Sequence, residues 1–333
     1  MRKTIIAISI VFMLIFAGCS NKGDDQEEAT NVYPLTGKNT TEEIANRPVA
    51  VMVSNQTQAR PQTGLSKADI VFEMLTEGNV TRFMAIYQSK QPEVVGPVRS
   101  AREYFFDLAD DYDALYVSHG AANFVNDLIK EKEIDYIDGA KYDDDGHLFV
   151  REAFRKTPHN SYLQFDAVSE VAEEKGYEME KEIAPLEFLG KDDEIDGEDA
   201  NYVKIDYYGG TPIVEYKYDK EMKKYLRYGD EEQTIELESE EPIAVDNLFV
   251  VEADHEVIDD EQRRDIDTHS GGKGYLFQRG KVQEVDWENQ DGRIVPVKDG
   301  EVVPFVEGQT WINFVQTEPE KDVKEQVQIE NKE

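Results

Sequence analysis

One cysteine stands in 333 residues, and its position constrains the fold more than any other feature. Cys19 follows Arg2 and Lys3, the apolar run Thr4 to Phe16, and the small residues Ala17 and Gly18. A positive end, an apolar stretch of roughly 12 residues and small residues before a cut describe an export signal, too short for the about 20 residues that span a bilayer. A thiol at the cut is the nucleophile on which lipoprotein export places a diacylglyceryl group. Residues 1–18 are therefore expected to be removed, and the mature chain to begin at a lipidated Cys19. An ordinary signal peptide or an uncleaved anchor helix is the alternative reading. With no second cysteine there is no internal disulfide, so the mature chain must stand on hydrophobic cores alone. Roughly 300 residues provide one or two of ordinary size.

Two acyl chains make attachment stable, because each buried methylene contributes about 0.8 kcal/mol and a single chain is marginal. The protein is expected on the outer face of the bacterial plasma membrane, with the lipid on Cys19 as its contact. The full chain carries a formal charge of −35, which becomes −37 when Arg2 and Lys3 leave with the signal. That sign excludes a uniform phosphate-binding surface, so direct nucleic-acid binding is not expected. Acidity fits solubility and repulsion from an anionic envelope; loose attraction of divalent cations or of a basic protein partner is the competing account.

Residues 19–44 are polar and lack aliphatic periodicity, as in a flexible tether broken only by Tyr33-Pro34-Leu35. Residues 45–185 alternate candidate strands (Val49 to Val53, Asp69 to Leu75, Thr81 to Gln88, Ala114 to Ser118, His147 to Ala153) with helical patterns at Ser100 to Asp111, Ala122 to Lys132 and Gln164 to Lys175. That alternation predicts a layered α/β N-terminal domain. An acidic linker follows over 186–201. Residues 202–316 are rich in Tyr, Val, Ile, Thr and Phe with period-two stretches, which predicts a β-rich C-terminal domain. Residues 317–333 are expected to be a disordered tail.

Within this acidic chain, Arg60 to Arg102 reverses sign: Arg60, Lys67, Arg82, Lys90, Arg99 and Arg102 outnumber Asp69, Glu73, Glu77 and Glu93. Gly96-Pro97-Val98-Arg99-Ser100-Ala101-Arg102 stands at a predicted loop-to-helix junction, where free N–H groups favour an anion and a cation is out of place. Something negative must face Arg102: an internal partner such as Asp69 or Glu73, or a bound phosphate or carboxylate. A second basic cluster holds Arg151, Arg155, Lys156, Pro158, His159 and Asn160. His159 there could act as acid or base, or Pro158-His159-Asn160 could be a turn. His119, at a predicted strand end, is the other well-placed histidine.

Paired-cysteine zinc patterns, phosphate loops and Gly-x-Ser-x-Gly are absent. Asp192 to Gly197 begins like a calcium loop, but Val203 occupies the position of the bidentate glutamate. It reads as solvated linker, and Asp143-Asp144-Asp145-Gly146 as a turn. Ser270-Gly271-Gly272-Lys273-Gly274 marks either a close backbone approach or a turn. No cofactor or metal is expected.

Several strings together resemble the YerB-type lipoproteins, bacterial envelope proteins of unknown function. They are Tyr33-Pro34-Leu35-Thr36-Gly37, Arg47-Pro48-Val49-Ala50-Val51, Ala59-Arg60-Pro61-Gln62-Thr63-Gly64-Leu65, the Gly96 to Arg102 string, Pro158-His159-Asn160 and Gly308-Gln309-Thr310-Trp311-Ile312. The resemblance implies separate N- and C-terminal domains and assigns no reaction, ligand or catalytic residue. The expectation is thus a membrane-tethered extracellular protein that binds an anionic group or a protein partner without catalysis, using Arg60, Arg82, Arg99, Arg102, Arg151, Arg155 and His159. The alternative is an envelope enzyme acting on a phosphorylated or acidic glycan, with His159 or His119 as acid/base.

Overall fold

Val49–Ser54 (β1) is buried at all six positions, with Val49, Val51 and Val53 facing one core and Ala50 and Met52 the other. A strand covered on both faces needs an unbroken apolar run, which is what the sequence supplies. The computed structural model describes residues 31–191, 193–207, 212–317 and 326–332. The signal, Cys19 and the first part of the expected tether lie outside them.

Ile70–Leu75 (β2) and Thr81–Tyr87 (β3) pair antiparallel, and β3 pairs antiparallel with β1. Helix α1 (Glu103–Asp111) leads to Leu115–Ser118 (β4), and α2 (Asn123–Glu131) to Tyr136–Asp138 (β5). β1, β4 and β5 run parallel. Phe105, Leu108, Val125 and Ile129 of the two helices share a core with Met52 and Phe72. Phe149–Arg151 (β6) and Ser161–Gln164 (β7) form an antiparallel pair, followed by α3 (Val168–Glu174). Helices α1, α2 and α3 are short, of nine, nine and seven residues, and strands dominate the described residues of both halves. Helix α1 starts later than the periodicity suggests: Arg102 is its N-cap in extended conformation, and Glu103 occupies the first turn, where a negative charge is favourable.

In the C-terminal half, Tyr202–Asp206 (β8), Ile213–Asp219 (β9) and Lys224–Gly229 (β10) make an antiparallel meander. Asn247–Ala253 (β11), Gly272–Gln278 (β12), Lys281–Gln290 (β13) and Arg293–Lys298 (β14) pair antiparallel in succession through β12. Thr310–Gln316 (β15) inserts between the halves, parallel to β11 on one side and to β2 on the other. One twelve-stranded sheet therefore runs through both halves. The β8–β10 meander packs on one of its faces, where Val203, Tyr216 and Tyr225 join Val71, Trp311 and Phe277 in a single core. Gly272 permits a close approach on the opposite, helix-side face of the sheet, against Trp287. A Cβ on Gly272 would lie 2.8 Å from both Glu252 O and Trp287 Nε1.

At the junction a charge is buried. Glu73 faces the same side of β2 as Val71 and Leu75 and is wholly inaccessible. Arg227 of β10 meets it with Nη2 at 2.8 Å and Nε at 3.1 Å, and Trp311 Nε1, Thr81 Oγ1 and Asn55 Nδ2 donate to it at 3.0, 3.0 and 3.2 Å. Each carboxylate oxygen is satisfied, the condition under which a buried charge is tolerated. The guanidinium also lies about 5 Å over the rings of Phe83 and Trp311.

Two expectations at the edges need correction. The tether does not extend to 44, because Leu35 is fully buried beside Phe188 and Phe305 in the helix-side core, and Asn31–Val32 pairs with Asn39–Thr40. Pro34, Thr36 and Gly37 are buried with Leu35, and the carbonyls of Pro34 and Thr36 accept from the N–H groups of Leu186 and Gly308 at 2.9 and 2.8 Å. The tail also contributes a strand: Val327–Glu330 (β16) pairs antiparallel with β8, burying Val327.

Candidate functional site

The basic reversal from Arg60 to Arg102 divides into two environments. Arg82 and Arg102 converge on Glu77, which accepts from Arg82 Nη2 at 3.0 Å and Arg102 Nη2 at 2.5 Å. Burial alone would raise the Glu77 carboxyl, but the two guanidinium groups hold it down at about 2. Arg82 and Arg102 also donate to the carbonyls of Ser100 and Ala101 at 2.6 Å each, which ties the turn before α1 to the β2–β3 hairpin. The negative group facing Arg102 is thus Glu77. Of the two partners suggested by the sequence, Glu73 is taken by Arg227, and Asp69 accepts from the backbone N–H groups of Gln88 and Ser89.

Arg151 and His119 share Asp143. Arg151 Nε lies 2.7 Å from Asp143 Oδ1, and His119 Nε2 3.1 Å from the same oxygen. Arg151 also donates to Asn160 Oδ1 at 2.8 Å. The acidic string 143–146 is a turn whose Asp145 carboxylate accepts from the N–H groups of His147, Leu148 and Phe149.

Four further basic residues line a cleft of about 780 Å³. Its walls are the loop after β1 (residues 55–60), the β2–β3 turn, the 154–159 loop between β6 and β7, and Asp230 at the end of β10, so both halves of the chain build it. Arg60, Arg155, Lys156 and His159 line it, against Asp230 as the one lining carboxylate among the described residues. Arg60 is oriented by Asn55 O at 3.1 Å and Asp230 Oδ2 at 2.8 Å. Arg155 donates to the carbonyls of Ala59 and Pro61, clamping one wall to another. Arg99 sits beside His159 and donates to Pro158 O at 3.3 Å. Among the described residues, Arg99 and Arg155 pair with no carboxylate. Their positions are fixed by carbonyl oxygens, which orient a guanidinium without neutralising it. His159 closes a turn through its N–H to Lys156 O at 2.9 Å, and its Nδ1 is buried without a partner. Burial, then the fields of Arg99 and Arg155, lower its pKa, so the ring is neutral at physiological pH.

Sequence reading singled out the cations but missed the cleft's polar lining of Asn55, Gln56, Thr57, Gln58 and Asn79, and its aromatic rim at Phe154. A signal existed: the polar run Ser54 to Gln58 directly follows the all-apolar run Val49 to Val53, so a loop rich in hydrogen-bonding side chains leaves the end of a buried strand. Asp192 lies outside the described residues, and Asp193 of the same string accepts from Gly190 N–H at 2.7 Å. Among the described residues no group of three or more His, Cys, Asp or Glu is placed to hold a metal ion.

Two family models match the chain: the N-terminal domain of a protein of unknown function, DUF3048, over residues 35–178, and the C-terminal domain of the same family over residues 203–312. The chain belongs to the DUF3048 family. It is 48% identical over 316 residues, 94% of each chain, to the Bacillus subtilis (strain 168) protein named "Putative lipoprotein YerB". It is also similar to the crystal structure of the YerB protein from Bacillus subtilis, with a TM-score of 0.82 and 47% identity, covering 91% of this chain and all of that one. The resemblance read from the short strings therefore holds along the chain. Both DUF3048 domains contribute to the cleft: the N-terminal one supplies Arg60 and the 154–159 loop, and the C-terminal one supplies Asp230. Among the described residues no helix is long and apolar enough to cross a membrane.

Proposed function

We propose that this DUF3048 protein is a lipoprotein held to the outer face of the plasma membrane through a lipid on Cys19, and that its cleft binds an anionic ligand without transforming it. The observation that carries the reading is the sign of the cleft. Arg60, Arg155 and Lys156, beside a neutral His159, face Asp230 as the one lining carboxylate among the described residues, in a chain whose formal charge is −35. An acidic protein repels anions at long range, so a cationic pocket within it acts at short range and selects for shape as well as charge. Binding is favoured over catalysis by the surroundings of His159. A working general base is oriented by a third group, whereas Nδ1 of His159 has no partner and Asp230 is engaged by Arg60.

Titration of the full mature chain with inorganic pyrophosphate tests the cleft. Saturable binding at one site is expected, weakened at least tenfold by Arg155→Ala combined with Lys156→Ala. No binding by the parent, or equal binding by the double variant, removes the anion reading. Anchoring is tested apart from the cleft: Cys19→Ala should leave an unprocessed precursor or release the protein from the membrane, and unchanged processing and attachment would overturn it.

A further inference from the structure

We infer that the ligand of the cleft is an anionic glycan, whose charged group sits among Arg60, Arg155 and Lys156 while a sugar ring stacks on Phe154. This inference rests on the anion-binding reading of the same cleft and adds the chemistry of the uncharged part of the ligand.

Phe154 is the most exposed large apolar side chain among the described residues, at 60%. It stands next in sequence to Arg155, whose guanidinium lies 5.6 Å from its ring, and it rests against Tyr162 at 5.8 Å between ring centroids. The ring is therefore held in place and still left open to solvent. Arg155 covers part of the ring, and the rest of its apolar area stays open at the rim of the cleft. A pyranose presents one face of C–H groups, which an aromatic face covers, and a rim of hydroxyls, which need donors and acceptors together.

The cleft supplies that second requirement. Gln56, Gln58 and Asn79 line it with carboxamides, each able to donate and accept, and their side chains make no hydrogen bond within the described residues. A phosphate or carboxylate alone calls for donors only. Amides, an open aromatic ring and the unneutralised guanidinium of Arg155 in one cavity match a ligand with hydroxyls, an apolar ring face and a negative group. At about 780 Å³ the cavity has room for more than a bare anion, since pockets of about 300–1,000 Å³ hold drug-sized ligands.

Four probes on the full mature chain test this by calorimetry: inorganic phosphate, a disaccharide 1-phosphate, an unphosphorylated disaccharide bearing one uronic acid, and the same disaccharide without charge. At least one charged disaccharide is expected to bind tenfold or more tightly than inorganic phosphate, and which one does so names the anion. Phe154→Ala should reduce that advantage to less than threefold while leaving phosphate affinity unchanged, and Phe154→Trp should restore it. Phosphate binding with no gain from either charged disaccharide, or a gain that survives Phe154→Ala, overturns the glycan inference and leaves the anion site standing. Failure of phosphate and both charged disaccharides to bind overturns both. Because Phe154 is largely exposed, retained thermal stability of the alanine variant distinguishes loss of binding from loss of fold.

Discussion

Arginine does opposite things at the two charged centres of this molecule. At the junction of the halves, Arg227 is buried against Glu73, and both groups are almost wholly excluded from water. At the cleft, Arg155 is held by the carbonyl oxygens of Ala59 and Pro61, and Arg99, next to the cleft's His159, by that of Pro158. A carboxylate partner cancels the charge and turns the guanidinium into a structural pin; a carbonyl partner fixes its direction and leaves its charge to act on something else. Density of basic residues along the sequence therefore says little about anion binding. What decides is the chemical type of the acceptor that folding brings to each.

The sharpest way to break this contrast is at the junction. Glu73→Gln leaves Arg227 charged and buried with no counter-charge, which costs about 3–5 kcal/mol, read as a fall in the denaturant midpoint at unchanged m-value. Adding Arg227→Met to Glu73→Gln should recover much of the loss, because an apolar pair avoids the stranded charge. A Glu73→Gln variant as stable as the parent would mean that the pair is not the pin described.

Glu77 gives the next largest effect and a pH signature. Its carboxyl is held at about 2 in the folded chain against an ordinary 4.5, so the native state keeps it ionised where the unfolded chain protonates it. The stabilisation is fully present above pH 4.5 and is lost as pH falls toward 2. Each pKa unit is about 1.36 kcal/mol, which sets an upper bound; with the side chain partly open to water, about 2 kcal/mol is expected at neutral pH. Glu77→Gln should cost that amount at pH 7 and flatten stability between pH 4.5 and 2, measured by thermal unfolding across that range.

The environments of these arginines explain what could and could not be read from the chain. Strands β1, β2, β3 and β4 are apolar runs bounded by polar punctuation, and their covered faces make them visible without partners. Arg102 facing an acid was also readable, from the wrong-sign charge at a helix start. Its partner was not: Glu77 is 25 residues away on a hairpin turn, and the choice between it, Asp69 and Glu73 depends on strand pairing. The Glu73–Arg227 pair spans 154 residues and needs β15 to bring the halves together, a parallel insertion with no local signature. Leu35 was hidden, because one aliphatic residue in a polar segment produces no periodicity. In Val327-Gln328-Ile329-Glu330, however, strict alternation is present and marks the strand. The cleft was half legible: its cations stood out by sign, whereas Phe154 and the carboxamides carry no sequence signal apart from their place at strand ends.

Within the cleft, Asp230→Asn should act in the opposite direction to Glu73→Gln. Asp230 has a positive φ of 51°, which asparagine tolerates, and its Oδ1 accepts from Ile213 N–H, a bond the carboxamide oxygen retains. The substitution releases Arg60 from its counter-charge. Pyrophosphate affinity should rise about fivefold, of the order of one charge-assisted contact, with stability changed by less than about 1 kcal/mol. A fall in affinity would mean that Asp230 serves the ligand by orienting Arg60, and the carbonyl-versus-carboxylate distinction would then fail at this position.

The smallest effect belongs to Lys156, the exposed cation of the cleft. It shares the cavity wall with Arg155 but, among the described residues, is not tied down by a carboxylate or a carbonyl, so ordering its flexible stem offsets much of the attraction it contributes. Lys156→Ala should therefore weaken pyrophosphate binding by about two- to threefold, of the order of 0.5 kcal/mol, with no change in unfolding temperature. Screening sharpens the contrast. Raising ionic strength from about 0.01 to 0.15 M shortens the Debye length from about 30 to 8 Å, so the Lys156 contribution should disappear while that of Arg155, fixed at the wall and less open to solvent, persists. If salt removed both contributions equally, position held by carbonyl oxygens would count for nothing, and the cleft would be an ordinary cationic surface.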